Sequence, residues 1–387
     1  MSVWVHQIET ILPGFSFSQE QASLKMQEWF KDERTKRIIR VLYRQSGIAK
    51  RHSVITNFDG NEADSFFKTG PDALLQEPGT AARNDIFARE SRSLSVALAR
   101  KVLDCCPGFG PGDVTHVVTA SCTGFYNPGP DYYIVRDLEM PYSTQRYHLG
   151  FMGCYAAFPA LRMAAQFCEA RPEAVVLVMC LELCSLHLQM NGNEDSLLAN
   201  SLFADGAGAA IVSARKPAPG RSAYRVGDFH SALVPSGEGD MAWRIGDRGF
   251  DIALSSYVPK IIGANIREFI EPSLAASGLA PADVETWAVH PGGRSIIDQV
   301  QTSLALGPEQ VRASREVLRD YGNMSSASIL FVLRNILDRP SRSDREKVCA
   351  MAFGPGLTVE MALLDAVPAG SGADVDAPGG KSAATIA

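Results

Sequence analysis

Apolar runs of strand length alternate with helix-like stretches along the chain. The runs that predict strands are Thr115–Ala120, Ala174–Cys180, Ala209–Ser213, Thr286–His290, Lys347–Ala352 and Thr358–Leu364. Apolar residues at helical spacing predict helices over Ser18–Phe30, Lys36–Ser46, Asp85–Leu103, Gly153–Ala170, Pro259–Leu274, Ser295–Leu304 and Ser325–Leu337. Strands interleaved with helices predict an α/β fold. A chain of 387 residues is too long for one small domain, so two domains or one large duplicated fold is expected.

Three pairs of segments look like copies of one another. PGDVTHVV at 111–118 resembles PADVETWAV at 281–289, and each places a Pro-x-Asp-Val turn before a buried strand. ADGAGAAIV at 204–212 resembles FGPGLTVEMAL at 353–363, and each is a glycine loop feeding a strand. Cys154 and Asn323 each open an apolar helix. Three matches in the same order point to two similar halves, although α/β proteins in general share such units. We expect them to span 1–218 and 219–366, with KPAPGRSAYR as linker and a disordered Gly-, Ala-, Asp- and Pro-rich tail over 367–387.

Composition narrows the class. Hydrophobic residues make up 46% and charged residues 21%, enough for a sizeable core. A net charge of −6 argues against nucleic acid or an anionic membrane as the main partner. The eight cysteines include no CxxC pair, so no metal site is expected, and reduced thiols in the cytoplasm fit best. The polar His6, Gln7 and Glu9 interrupt any leader-like apolar run, and no apolar segment reaches membrane-spanning length.

Three residues carry candidate chemistry. Cys154 follows the turn Leu149–Gly153 at the predicted start of a helix, where unpaired N–H groups and the helix dipole lower a thiol pKa. Such a thiolate can attack a thioester, and the acyl group it gains is again a thioester. The plain alternative is a buried structural cysteine. His290 ends a predicted strand before Pro291-Gly292-Gly293, the position where α/β sites gather. Asn323 follows Gly322 before an apolar helix; it is either an N-cap or a side-chain amide aimed at developing negative charge. Ser325 and Ser326 can cap instead, which would leave Asn323 free.

Together, GFMGC around Cys154, WAVHPGG around His290, YGNMSSAS around Asn323 and AFGPGLTVE at 352–360 resemble the type III polyketide synthases, the chalcone synthase family. The resemblance runs from about residue 1 to 365. Two further stretches, SCTGFYNPGPDYYIV at 121–135 and MAWRIGDRGFDIALSSYVP at 241–259, look most like bacterial members that make alkylpyrones and alkylresorcinols. The resemblance implies a thiolase-like fold of two αβαβα halves in five layers and an obligate homodimer. It implies iterative decarboxylative condensation of malonyl-CoA onto an acyl-CoA starter, with coenzyme A thioesters as substrates and no other cofactor. Cys154 matches the acyl-carrying nucleophile, and His290 and Asn323 match the pair that drives decarboxylation, with a thiolate–imidazolium pair in the resting enzyme. Phe203 matches a gatekeeper aromatic, and Ile252 stands where plant members carry a second gatekeeper Phe. Cys122, Thr123, Cys184, His187 and Ser325 match cavity positions, where small side chains leave room for a long or flexible aliphatic chain. Phe353, Gly354, Pro355 and Gly356 match the glycine loop that shapes the site. Asn127 and Pro128 fall where plant members reach into the neighbouring subunit.

Arg37, Arg40 and Arg44, spaced by three and four on one helical face, match the family's CoA-phosphate segment. A solvated charged face gives the same pattern. The nearest rival is a ketoacyl synthase of the fatty-acid initiating type, but HPGG and FGPG favour the polyketide branch. A hydrolytic cysteine enzyme shares the Cys-His-Asn set without this histidine context, and a non-catalytic module would have no use for the three residues.

Overall fold

A computed structural model describes residues 1–58, 66–69, 75–339 and 345–369. The expected tail therefore lies outside the described residues from 370 onward.

In chain order the strands are β1 (Trp4–Ile11), β2 (Phe15–Ser18), β3 (Lys50–Ser53), β4 (Lys68–Thr69), β5 (Leu75–Gln76), β6 (His116–Ser121), β7 (Gln145–Gly150), β8 (Val175–Leu183), β9 (Asp205–Ser213), β10 (Ala223–Leu233), β11 (Met241–Gly246), β12 (Gly249–Leu254), β13 (Thr286–Val289), β14 (Glu346–Gly354) and β15 (Thr358–Val367). The helices are α1 (Gln19–Glu28), α2 (Glu33–Gln45), α3 (Thr80–Asp104), α4 (Pro130–Asp137), α5 (Ala157–Ala170), α6 (Glu194–Leu202), α7 (Val258–Ala276), α8 (Arg294–Ser303), α9 (Arg312–Tyr321) and α10 (Ser328–Leu337).

The large sheet has the order β13-β14-β15-β10-β1-β9-β8-β6-β7. It is two copies of one pattern. In the first wing β1 runs antiparallel to β9, β9 antiparallel to β8, and β8 parallel to β6. In the second wing β10 runs antiparallel to β15, β15 antiparallel to β14, and β14 parallel to β13. The segments matched in the sequence fall on equivalent elements: the turns at Pro111–Asp113 and Pro281–Asp283 precede β6 and β13, and the glycine segments fall at β9 and β15, although Gly206 and Gly208 stand inside β9 whereas 355–357 form a turn before β15. Within the sheet the wings join at β1 and β10, with Trp4 opposite Arg225 and Val5 opposite Tyr224. Residue 218 lies in the loop between β9 and β10.

Alternation along the strands builds five layers. Val118, Val176 and Ala210 of one wing and Ala288, Ala350 and Ala362 of the other pack into one central core around α5 and α10. The intervening residues face outward. Val117, Leu177 and Ile211 meet Leu98 and Val102 of α3, while Trp287, Val289 and Met351 meet Ile266 of α7 and Ile297 of α8. This is the expected thiolase-like arrangement.

The differences from the expected elements have local causes. β1 was missed because polar His6 and Glu9 interrupt its pattern, yet both are buried in partnerships: His6 with Ser213 and Glu9 with Lys101 and Arg334. The expected helix from Gly153 starts at Ala157, so Pro159 stands in the first turn, where its missing N–H costs no hydrogen bond. The helix expected from Ser325 begins with a short 3-10 turn, Ser325–Ala327, before α10.

Candidate active site

Four chain segments meet between the wings. Cys154 sits in the turn ahead of α5, after Phe151 and Gly153, both at positive φ of 59° and 90°. A side chain on Gly153 would strike Pro355, and one on Gly354 would strike Tyr155, so two glycine turns interlock behind the thiol. His290 follows β13, held by its N–H to the Met351 carbonyl (2.8 Å). Asn323 follows α9 and Gly322. It is laced to the end of α6 by two backbone bonds, its N–H to Leu202 O (3.0 Å) and Ala204 N–H to its own carbonyl (2.8 Å).

These residues share one cavity of about 540 Å³, lined by Cys154, His290, Asn323, Phe203 and Phe353 together with polar Lys260, Asp298 and Gln299. Behind it is an apolar recess of about 40 Å³, lined by Cys122, Thr123, Cys184, Ser325, Pro355 and Trp243. Cys154, Phe203 and Met241 line both, so the thiol and the expected gatekeeper stand at the division.

Several expectations need correction. The small residues do not leave a large inner space, because Trp243 and Met241 of the β11–β12 hairpin fill it. Ile252 lines neither cavity; it stands opposite Trp243 in the hairpin, while Leu254, two residues on, lines the outer passage. His187 lies beneath the hairpin, not in the cavity wall. Its Nε2 is 2.7 Å from Thr123 O, its Nδ1 accepts from Phe250 N–H (3.0 Å), and it stacks on Phe250 at 4.0 Å. Burial drives its imidazole down to about 3. Gly354 and Gly356 shape the turn around Phe353 and Pro355 without lining the space themselves. Asn323 is not free: its Oδ1 accepts from Ser325 N–H (2.9 Å) and its Nδ2 donates to Gly292 O (3.1 Å), which aims the amide at the cavity. Neither Ser325 nor Ser326 caps α10. Arg37, Arg40 and Arg44 lie exposed on α2 and line neither cavity; Leu42, Gln45 and Ser46 of the same helix line a neighbouring cleft that shares Leu198, Leu202 and Ser295 with the mouth. Asn127 and Pro128 are exposed and joined by a cis peptide bond.

Burial disfavours the expected thiolate–imidazolium pair. Neither His290 ring nitrogen has a hydrogen-bond partner. Burial pushes the Cys154 thiol up to about 12, opposed by a hydrogen bond with Ser325 and reinforced by the Glu182 carboxylate. Burial also takes the His290 imidazole down to about 3, so it favours the neutral form of both groups.

Glu182 was missed, and its signal was legible: a lone carboxylate in the wholly buried run Val175–Leu183. It accepts from Cys122 N–H (3.0 Å), Thr123 Oγ1 (2.9 Å) and Ser326 Oγ, tying the end of β6 to the turn before α10. Burial raises its pKa against those donors. Trp243 was also missed; its indole N–H donates to Cys122 O (2.8 Å) and pins the hairpin over the recess.

Comparison with known proteins agrees with this geometry. Residues 12–216 match the family described as chalcone and stilbene synthases, N-terminal domain, and residues 228–368 match its C-terminal domain. The chain belongs to the chalcone and stilbene synthase family. The synthase is 30% identical over 369 residues to the alpha-pyrone synthesis polyketide synthase-like Pks18 of Mycobacterium tuberculosis, covering 94% of this chain and 91% of that one. Its fold superposes on the crystal structure of PKS-I from the brown alga Ectocarpus siliculosus with a TM-score of 0.88 at 29% identity, covering 95% and 98% of the two chains. It is also similar to the 1,3,6,8-tetrahydroxynaphthalene synthase of Streptomyces coelicolor A3(2), a bacterial type III polyketide synthase, with a TM-score of 0.82 at 27% identity over 93% and 98%. The synthase is a type III polyketide synthase, an acyltransferase that performs condensations. Among the described residues no helix is long and apolar enough to cross a membrane.

Proposed function

We propose that the synthase extends an aliphatic acyl-CoA starter with malonyl-CoA, holds the growing chain on Cys154, and cyclises it to an alkylpyrone or alkylresorcinol-type product. The observation that carries this reading is the convergence of Cys154, His290 and Asn323 on one cavity with Phe203 at its division. The product class rests on the bacterial-type motifs and on the alpha-pyrone assignment in the name of the mycobacterial relative.

In this reading the Cys154 proton passes to His290 as sulfur attacks the starter carbonyl. The tetrahedral oxyanion is held chiefly by the charged imidazolium, with the Asn323 amide a lesser donor. The thioester C–S bond breaks, and the departing CoA thiolate takes the proton from His290. Malonyl-CoA then loses carbon dioxide while the same two donors hold its thioester oxygen as an enolate. The enolate carbon attacks the acyl-Cys154 carbonyl and expels the Cys154 thiolate, leaving a chain two carbons longer on CoA. Coenzyme A thioesters are the only cosubstrates in this scheme, and no metal takes part.

A homodimer in the cytoplasm completes the proposal. It is supported by the unpaired outer edge of β7 at the end of the sheet, by exposed Phe125, Tyr132 and Tyr142 nearby in the chain, and by free thiols at all eight cysteines.

The test is intact-mass measurement after incubation with an acyl-CoA. One acyl adduct is expected on the wild type and none on Cys154→Ala. Adding radiolabelled malonyl-CoA should then yield ring products. A product of a single extension would favour a ketoacyl synthase activity and overturn the proposal.

A further inference from the structure

The buried end of α6 poses a problem that one residue resolves. The last carbonyls of a helix have no partner within it and carry the negative end of its dipole. In α6 these are Asn200, Ser201 and Leu202, with the C-cap Phe203 beyond. They lie under the active site, where the proposed chemistry builds negative charge. Each has a partner. Ser201 O accepts from Gln19 Nε2 (2.7 Å) and Leu202 O from Asn323 N–H (3.0 Å). Asn200 O accepts from Tyr43 OH (2.9 Å) and from Arg51 Nη1 (2.8 Å), and the same Nη1 donates to Phe203 O (2.8 Å).

Arg51 of β3 is 1% exposed, with its guanidinium over the rings of Phe17 (5.2 Å) and Tyr43 (5.4 Å). Among the described residues it makes no ion pair with a carboxylate. The Asp205 carboxylate exerts an attraction on it, but its hydrogen bonds come from Ser185 and Val54. A buried charge kept without a salt-bridge partner is costly, and here its hydrogen bonds go to helix-end carbonyls. Asn200 O lies in the last turn of α6, and Phe203 O lies in the strip Leu202–Ala204, whose backbone also pairs with Asn323. The chain at Gly322 also rests on the arginine: a Cβ there would lie 3.0 Å from Arg51 Cγ.

We infer that Arg51 is a positioning residue for the condensation, acting through the Phe203–Asn323 bridge. It clamps the end of α6, fixes the backbone that holds the Asn323 amide at the enolate, and offsets the negative helix end beneath it. This inference rests on the decarboxylation role proposed for Asn323.

The experiment measures two half-reactions: decarboxylation of malonyl-CoA without starter, and acylation of Cys154 by an acyl-CoA, read by intact mass. They are compared in wild type, Arg51→Met, Asn323→Ala and the double variant. Arg51→Met should decarboxylate at least about tenfold more slowly while Cys154 acylates within about threefold of wild type. The double variant should be no slower than Asn323→Ala, because both changes remove one device. Equal losses in both half-reactions, or additive losses in the double variant, would overturn the inference. If Asn323→Ala decarboxylates like wild type, the functional reading fails instead. Should Arg51→Met not fold, Arg51→Lys keeps the stem and charge but lacks the planar fork. It should show the same selective loss in milder form, and an unaltered decarboxylation rate in it would count against the clamp.

Discussion

At the residue scale, the resting state of Cys154 is decided by two opposing effects. A turn entering a helix favours a thiolate. Burial opposes it, and burial wins here, with the thiol at about 12 and His290 at about 3. Below its pKa the thiolate fraction grows about tenfold per pH unit. Alkylation of Cys154 by iodoacetamide should therefore keep accelerating from about pH 6 to about pH 9. A rate that levels off below about pH 7 would mean a preformed ion pair and contradict the neutral resting site. The identities of Cys154, His290 and Asn323 were legible because each stands at an element end, with a glycine adjacent or separated by one residue. Their protonation was not, because desolvation depends on what covers the site. Arg51 and Trp243 were illegible as site residues because their partners lie far away in the chain, whereas Glu182, a lone carboxylate in an apolar strand, was legible and overlooked.

At the element scale, the β11–β12 hairpin controls the space behind the nucleophile. It is anchored by Trp243 Nε1 on Cys122 O, and by packing of Trp243 on Phe250 (6.0 Å between rings) and Phe203 (6.2 Å). The recess it leaves, about 40 Å³, holds only a few water-sized groups. A medium or long acyl chain needs the hairpin to yield. Trp243→Ala should open the recess and shift starter preference upward. Across acyl-CoAs from acetyl to palmitoyl, kcat/KM for long relative to short starters should rise about tenfold or more, the scale on which pockets read methylenes. An unchanged ratio would remove Trp243 from control of the chain. The hairpin escaped prediction because MAWRIG and GFDIAL mix exposed and half-buried positions, whereas β6, β8, β13 and β14, buried on both faces, were plain in the sequence.

At the scale of the whole molecule, duplication places conserved strand–turn–helix geometry on both sides of one core, and the site forms where the copies meet. That layout buries titratable groups in several places at once. His6 against Ser213, His187 under the hairpin and His290 in the cavity are all held neutral, at about 4, 3 and 3 against an ordinary 6.5. For each, the folded pKa lies below the unfolded one, so its contribution to stability is intact above about pH 6.5 and is lost as pH falls toward the folded value, at up to roughly 1.4 kcal/mol per pH unit. Asp205 works the other way. Burial raises it from 3.8 to about 6, so it favours the folded state as pH falls through that range, and Glu182 shifts in the same direction. Burial also lowers His52, His116 and His148 and raises Glu360, so the depressed histidines outnumber the raised carboxyls and the net effect of acidification below about pH 6 is a loss of stability. The thermal midpoint should accordingly be lower at about pH 5 than at about pH 7, by several degrees. A midpoint that rises on acidification would mean that the carboxyls, not the histidines, dominate proton uptake, and that the buried imidazoles are solvated or charged in the folded protein.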